Sequence, residues 1–376
     1  MSALRILITN HGLKERAGSE LYVRELALWL LRNGHSPIVY SSKLGEVASE
    51  IRQATVPVVD DLADVAVQPD LIHGQHHVET MTALLHFPHT PAVFFCHGWL
   101  PWEETPPHFP RILRYVAVDD TCRDRLVCEH GIEEEVVRVI LNFVDLKRFV
   151  PRGELSAKPR RALVFSNSAS ETTYVANVRE ACRRAGISLD VVGSKAGRTS
   201  ERPEKILGQY DIVFAKARCA LEALAVGTAV VLCDQAGVGP MVTTIELERL
   251  RRLNFGIRTL QESVDSDTLE KEIARYDATD AMEVSRRVRR ACGSEEALSE
   301  IVALYKEVIA DYKQRPMPDL EAESRAAAAY LRQLPLLLAR ERDVLANSAT
   351  FRLRNRLLRI PFAGSLARSL SNRIAN

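Results

Sequence analysis

The sequence predicts an α/β protein, two doubly wound Rossmann-like domains facing a cleft with a helical C-terminal extension. Three observations carry this expectation. Short apolar runs alternate with segments of helical periodicity, the pattern of parallel strands joined by crossover helices. The alternation stops at a stretch rich in proline and charge and then restarts. The chain has 376 residues, which suits two domains of roughly 150 residues with an appendage.

Leu4 to Thr9 is an apolar run that reads as the first strand, and Asn10 to Ser19 is a polar loop. Glu20 to Asn33 repeats Leu21, Leu26, Leu28, Leu30 and Leu31 at helical spacing until Gly34 ends the helix, and His35 to Ser42 supplies a second strand. Together they form a β-α-β unit with parallel strands. Further strands are expected at Leu71-Ile72, Ala92 to Cys96, Tyr115 to Val118 and Val136 to Leu141, completing a domain over residues 1–150. Residues 151–161 read as a linker. Val150 to Arg161 holds two prolines, a glycine and five charged residues against only Val150 and Leu155 as large apolar side chains.

A domain over 162–315 repeats the pattern. Strands are expected at Ala162 to Phe165, Leu189 to Val192, Asp211 to Ala215 and Ala229 to Cys233. Helices are expected at Tyr174 to Ala185, ended by Gly186, and at Ala220 to Val226. From Asp265 the chain becomes helical and charged, and residues 316–376 form the extension. Leu320 to Asn347 is an Ala-rich helical run in which Pro335 is expected to interrupt the helix. Phe351 to Asn376 carries six arginines and no acidic residue.

Composition excludes several classes. With 46% hydrophobic and 26% charged residues, the chain is neither largely disordered nor collagenous. Fifty basic against 49 acidic residues leave a net charge of +1, which removes the usual signature of a nucleic-acid-coating protein. The seven cysteines are scattered without a C-x-x-C pair, so neither a disulfide framework nor a zinc ribbon is expected. No run reaches the roughly 18 apolar residues of a spanning helix, and the start MSALRILITN lacks a leader pattern. The expectation is a cytoplasmic protein, soluble or peripheral at the inner face of the membrane.

The segment RAGSELYVRELALWLLRNGHSPIVYSS places a glycine-rich loop at a helix start and closes with Gly-His before the second strand. AVFFCHGWLPW sets His97 directly after a strand, YVAVDDTCRDRLV supplies the next strand and helix, and VRVILNFVDLKRF, through Asn142, Phe143, Val144, Asp145 and Phe149, resembles a family hinge signature, Asn-Gly-Val-Asp-x-x-x-Phe. In this order the motifs resemble the retaining glycosyltransferases of family four, whose fold is GT-B. Phe143 stands where that family usually has glycine. Ala17-Gly18-Ser19 offers helix-start N–H groups to a phosphate or sugar hydroxyl.

The resemblance implies a hydrogen bond from His97 to the transferred sugar; Gly18 is a donor-side candidate, and Ser19, Glu20 and, after the short strand at Leu71-Ile72, His76 are acceptor-side candidates. His77 is a further acceptor-side candidate beside His76, with surface solvation as the plain alternative for both.

In the second domain, YDIVFAKARCALEALAVGTAVVLCD is similar to the family's donor-binding strand, loop and helix. Glu222 matches the second of the family's two glutamates separated by seven residues, which implies a hold on the donor ribose; Phe214 occupies the first position. The family's Gly-Arg and Lys phosphate clamp is replaced by FSNSASE, whose Ser166, Asn167 and Ser168 bring hydrogen bonds without charge. Lys216 and Arg218, expected in the loop before the helix, are chemically suited to replace that clamp beneath a diphosphate leaving group. Gly193 and Arg198 are further donor-side candidates, and QAGVGPMVT with Gly237 and Gly239 reads as a donor-facing loop.

No Asp-x-Asp motif is evident. The resemblance therefore implies metal-independent retaining transfer from a nucleotide sugar, with no cofactor, to a glycan or lipid-linked acceptor in surface polysaccharide biosynthesis. Phe351 to Asn376 interleaves arginines with Leu353, Leu357, Leu358, Phe362 and Leu366, a composition suited to an anionic membrane surface. Two alternatives stay open: a sugar-nucleotide epimerase of the same fold, and a catalytically silent relative that binds glycan or scaffolds an assembly.

Overall fold

The computed structural model describes residues 3–200, 202–315 and 319–347. The first domain is a seven-stranded parallel sheet built from β1 (Arg5–Thr9), β2 (Ser36–Tyr40), β3 (Val58–Val59), β4 (Leu71–Gln75), β5 (Ala92–Cys96), β6 (Ile112–Ala117) and β7 (Val137–Val139). Its strand order is β3-β2-β1-β4-β5-β6-β7. The helices α1 (Gly18–Arg32), α2 (Glu46–Gln53), α3 (His77–His86) and α4 (Asp120–Asp124) connect these strands. β4 and β5 are buried along their whole length, as expected of central parallel strands covered on both faces.

The second domain has five strands: β8 (Arg161–Phe165), β9 (Ser188–Val192), β10 (Ile212–Ala215), β11 (Ala229–Asp234) and β12 (Gly237–Met241). They are ordered β12-β11-β10-β8-β9, and only β12 runs antiparallel. Its helices are α5 (Val175–Arg184), α6 (Ala217–Val226), α7 (Leu247–Arg252), α8 (Ser266–Ile273) and α9 (Ala278–Ala291). Both sheets are doubly wound, and each reverses strand order once. In the first the reversal lies between β1 and β4, in the second between β8 and β10. Ligands in such sheets bind outside the carboxyl ends of strands at the reversal.

The chain crosses between domains earlier than residue 150. Phe143 is buried in the first core, whereas Val144 and Phe149 are buried in the second. The return crossing runs beside it: the Val144 amide donates to the Cys292 carbonyl at 2.9 Å, and the Ser294 amide to the Val144 carbonyl at 3.1 Å. The helix α10 (Ser294–Gln314), which the sequence assigned to the second domain, packs on the first. Leu298, Ile301, Leu304, Tyr305 and Val308 enter the first core, and burying such side chains stabilises by about 1.5–3 kcal/mol each. His73 on β4 donates from Nδ1 to the Tyr305 hydroxyl at 2.6 Å while its Nε2 accepts from Gln75 at 3.0 Å. Trp29 Nε1 donates to Glu295 at 2.7 Å. The 151–161 stretch lies against the second domain, with Leu155 buried there and Arg152 donating to the Tyr210 carbonyl.

The extension is a second compact unit, whose helix α11 (Leu320–Asn347) starts at Asp319, with Oδ1 accepting from the Glu321 and Ala322 amides. The helix runs through Pro335, so the expected interruption does not occur. Proline removes one ladder hydrogen bond and clashes one turn back, and 15 residues on its N-terminal side and 12 on its C-terminal side remain helical. The arginine-rich 351–376 segment lies outside the described residues. Among the described residues no helix is long and apolar enough to cross a membrane.

Candidate active site

A cavity of about 410 Å³ lies outside the carboxyl ends of β1, β4 and β5 in the first domain and of β10 in the second. The first domain lines it with His11 and Gly12 after β1, with Gly18, Ser19, Glu20 and Tyr22 of α1, and with His76 after β4. His97, Gly98, Glu103 and Glu104 follow β5, and Asn142 and Phe143 belong to the crossing. The second domain contributes Ala217, Arg218 and Asn254. Among the described residues, five that are not glycine have positive φ, and His76, Ala217 and Asn254 of this lining are three of them. Such backbone is strained outside glycine and concentrates at functional sites.

The first-domain wall is a histidine–carboxylate network. The buried Glu104 carboxylate accepts the His97 amide through Oε2 at 2.9 Å and faces His76 Nε2 through Oε1 at 3.6 Å. His76 Nδ1 accepts the His11 amide at 2.9 Å, which leaves its proton on Nε2 toward Glu104. Burial alone would lift the Glu104 pKa, but His76, His97 and the His97 amide hold it below the ordinary carboxylate range. Burial likewise works against a charged His76, and Glu104, Glu79 and Glu103 outweigh it and raise its pKa. One step further out, Lys43 donates to His11 Nε2 at 2.8 Å, and His11 Nδ1 donates to Glu79 at 3.2 Å.

His97 differs from its neighbours. Burial drives its pKa down to about 4, so the ring is neutral at pH 7. Its Nε2 is buried with no partner among the described residues, and Tyr22 meets the ring edge-on with 4.6 Å between centroids. A neutral, unsatisfied imidazole on a cavity wall is chemically suited to a sugar hydroxyl, since it offers one donor and one acceptor. Burial also raises the Glu20 pKa, and the Ser19 hydroxyl donates to Glu20 at 3.0 Å. His76 and His77 are buried rather than solvated, because α3 and the 97–104 loop enclose them.

The second-domain wall corrects the expected phosphate clamp. Lys216 is the cap and Arg218 the second residue of α6, not members of a preceding loop. Neither cation is free. Lys216 Nζ is paired with Asp234 at the end of β11, and Lys216 does not line the cavity. Arg218 donates from Nε to Glu222 at 2.9 Å and from Nη2 to Glu25 on α1. Burial opposes the guanidinium charge and the two glutamates outweigh that, raising its pKa. Glu222 lies in the second turn of α6 and does not open the helix; it is buried, and burial raises its pKa. The amides of Arg218 and Cys219 belong to the first turn, where intrahelical acceptors are missing.

The remaining donor-side candidates do not line this cavity. Ser166 shares its hydroxyl with Ser168 at 2.9 Å, and Asn167 donates to the Arg16 carbonyl of the first domain at 3.4 Å. Gly193 serves backbone approach: a Cβ there would stand 1.8 Å from the Ser166 carbonyl oxygen, and its amide is used by the Arg198 carbonyl. The Arg198 side chain is 64% exposed, 3.9 Å from Asp190. Gly237 and Gly239 lie in β12 rather than in a donor-facing loop, and a Cβ on Gly239 would meet the Thr259 carbonyl oxygen at 2.5 Å. Sequence reading missed Glu104, Asn254 and Glu25. Among the described residues no group of three or more His, Cys, Asp or Glu could hold a metal ion.

Residues 16–148 match glycosyltransferase family 4. None of the curated proteins matches the sequence. A glycosyltransferase from Rickettsia africae ESF-5 superposes with a TM-score of 0.59 at 15% identity, over 82% of this chain and 99% of its own. Anabaena HepE in complex with UDP and glucose gives a TM-score of 0.59 at 15% identity, over 81% and 99%. The fold is GT-B. A UDP-N-acetylglucosamine 2-epimerase is also similar, with a TM-score of 0.50 at 13% identity over 85% of this chain and 99% of its own. The GT-B cleft of this chain is the cavity between α1 and α6, and the family match at 16–148 covers the loops that form its first-domain wall.

Proposed function

We propose that the protein is a glycosyltransferase that moves a sugar from a nucleotide donor held on the second domain to an acceptor on the first, with retention and without a metal. The observation that carries this reading is the convergence of the α6 start, the α1 start and the unpartnered His97 ring on one cavity. The family match at residues 16–148 supports it, as does the UDP complex of a GT-B relative.

Each wall then has a task. The first-turn amides of α6, with the positive end of its dipole, face the diphosphate as it leaves. Glu222, paired with Arg218 and not itself on the cavity lining, is the ribose candidate that the family resemblance supplies. His97 orients the transferred sugar, and Glu20 with His76, on the same first-domain wall, hold the acceptor hydroxyl. Positioning both substrates in one cavity supplies much of the rate, because it makes the encounter intramolecular. The acceptor is a glycan or lipid-linked precursor in surface polysaccharide synthesis, and the 351–376 segment attaches the enzyme to an anionic membrane.

The test is release of nucleoside diphosphate from a panel of nucleotide sugars by the full chain. Slow release from one donor is expected, and no release or binding with any donor overturns the reading. A second reading, sugar-nucleotide epimerisation, is favoured by one observation: Glu20, Glu103 and Glu104 place carboxylates on the cavity wall. Conversion of a donor to its epimer without nucleotide release would establish that alternative.

A further inference from the structure

Arg218 is the one Lys or Arg among the described residues that lines the cavity, and the first domain holds it. Its guanidinium bridges Glu222 on its own helix and Glu25 on α1. Two carboxylates against one guanidinium leave the group formally one negative charge in excess. Both sides are enclosed: the Arg218 side chain is 18% and that of Glu25 12% exposed. The contact is also incomplete, since Glu25 Oε2 is buried without a partner among the described residues. Nearby, Asn254 is 5% exposed and lines the same cavity, and its Oδ1 is likewise without a partner. A diphosphate entering here finds Glu20, Glu103 and Glu104 on the lining and no cation that is not already neutralised.

We propose that Glu25 is a positioning residue that sets the affinity of this cavity for a diphosphate by holding the Arg218 guanidinium across the domain boundary. The inference rests on the donor-site reading above. A nucleoside diphosphate binds tightly only by taking Arg218 from Glu25, so donor binding and the contact between domains compete for one guanidinium. Arg218 suits this exchange, because its planar fork can pass from a carboxylate to a phosphate without changing protonation. The Asp120–Arg252 and Asp124–Arg258 pairs, also acidic on the first domain and basic on the second, remain to hold the domains when Arg218 leaves.

The test is calorimetric titration of the full chain with inorganic pyrophosphate and with UDP. Wild type, Glu25→Gln, Arg218→Gln and the double variant are compared, with thermal unfolding measured alongside. Glu25→Gln is expected to bind both probes about tenfold more tightly, because the diphosphate no longer has to take the Arg218 guanidinium from a carboxylate. The gain disappears in the Arg218→Gln background, a coupling that a merely structural role would not produce. If Glu25→Gln does not fold, Glu25→Asp carries the test, with the same sign and a smaller gain. Unchanged or weaker binding, or a gain that persists without Arg218, overturns the inference. UDP binding by wild type with no change in Glu25→Gln leaves the donor-site reading standing. Absence of binding by every form to both probes overturns both.

Discussion

The amide of His97 donates to the carboxylate of Glu104 at 2.9 Å. This bond ties the end of β5 to a loop seven residues further on, and the same carboxylate faces His76. Glu104→Ala leaves a buried amide and a buried imidazole N–H without an acceptor, which costs about 1–3 kcal/mol for each group. Urea unfolding of that variant is expected to show a loss of about 3 kcal/mol. Glu104→Gln keeps one carbonyl oxygen and should lose about half as much.

Stability should fall on acidification through a window set by the histidines. Burial lowers the pKa of His97 and of His77 from 6.5 to about 4. Between those values the unfolded chain binds protons that the folded chain refuses, so the contribution of these two rings is full above about pH 6.5 and lost as pH falls, while His76, whose pKa is raised, contributes with the opposite sign. Each such group contributes a slope of up to about 1.4 kcal/mol per pH unit. A His97→Asn variant should show a flatter loss between pH 6.5 and 4.5 in thermal unfolding; an unchanged slope contradicts the assignment.

Gly193 is needed for packing rather than for donor contact. A Cβ there would stand 1.8 Å from the Ser166 carbonyl oxygen, and backbone must move to admit it. Gly193→Ala is expected to destabilise the protein by about 3 kcal/mol, whereas Arg198→Ala, on an exposed side chain, should change stability by less than about 0.5 kcal/mol. Chemical denaturation of the two variants checks both values.

Membrane attachment is expected to reside in residues 351–376. Each arginine near an anionic surface contributes about 1 kcal/mol, and salt screens the attraction. Co-sedimentation with anionic and neutral vesicles should pellet the full chain with anionic lipid at low salt. A variant ending at Thr350 should stay in solution, and equal pelleting of both proteins contradicts this role.

Strand positions were legible because runs such as Ala92 to Cys96 are continuously apolar, and parallel strands covered on both faces must be. The amphipathic pattern of α10 showed that it has a buried face, but pattern alone does not say which domain receives it. Lys216 and Arg218 looked free for the same reason. Glu222 is one turn from Arg218 on the same helix, but Asp234 lies on another strand and Glu25 is 193 positions from Arg218, and only the fold brings these partners together. Glu104 sits on a loop without periodicity, and Asn254 on a turn whose positive-φ positions, Asn254 and Phe255, are not glycine. His97 was legible as a cavity residue through the ordered motifs that resemble family four, which set it directly after a strand end.

The central claim is that the nucleotide sugar sits between the starts of α1 and α6. Hydrogen–deuterium exchange of the full chain with and without UDP, or with the donor that the release panel identifies, tests it most directly. Protection is expected in peptides covering residues 216–222 and 254–256, together with those covering 18–22 and 97–104. Binding with protection confined to other segments, or to only one of the two domains, would contradict it.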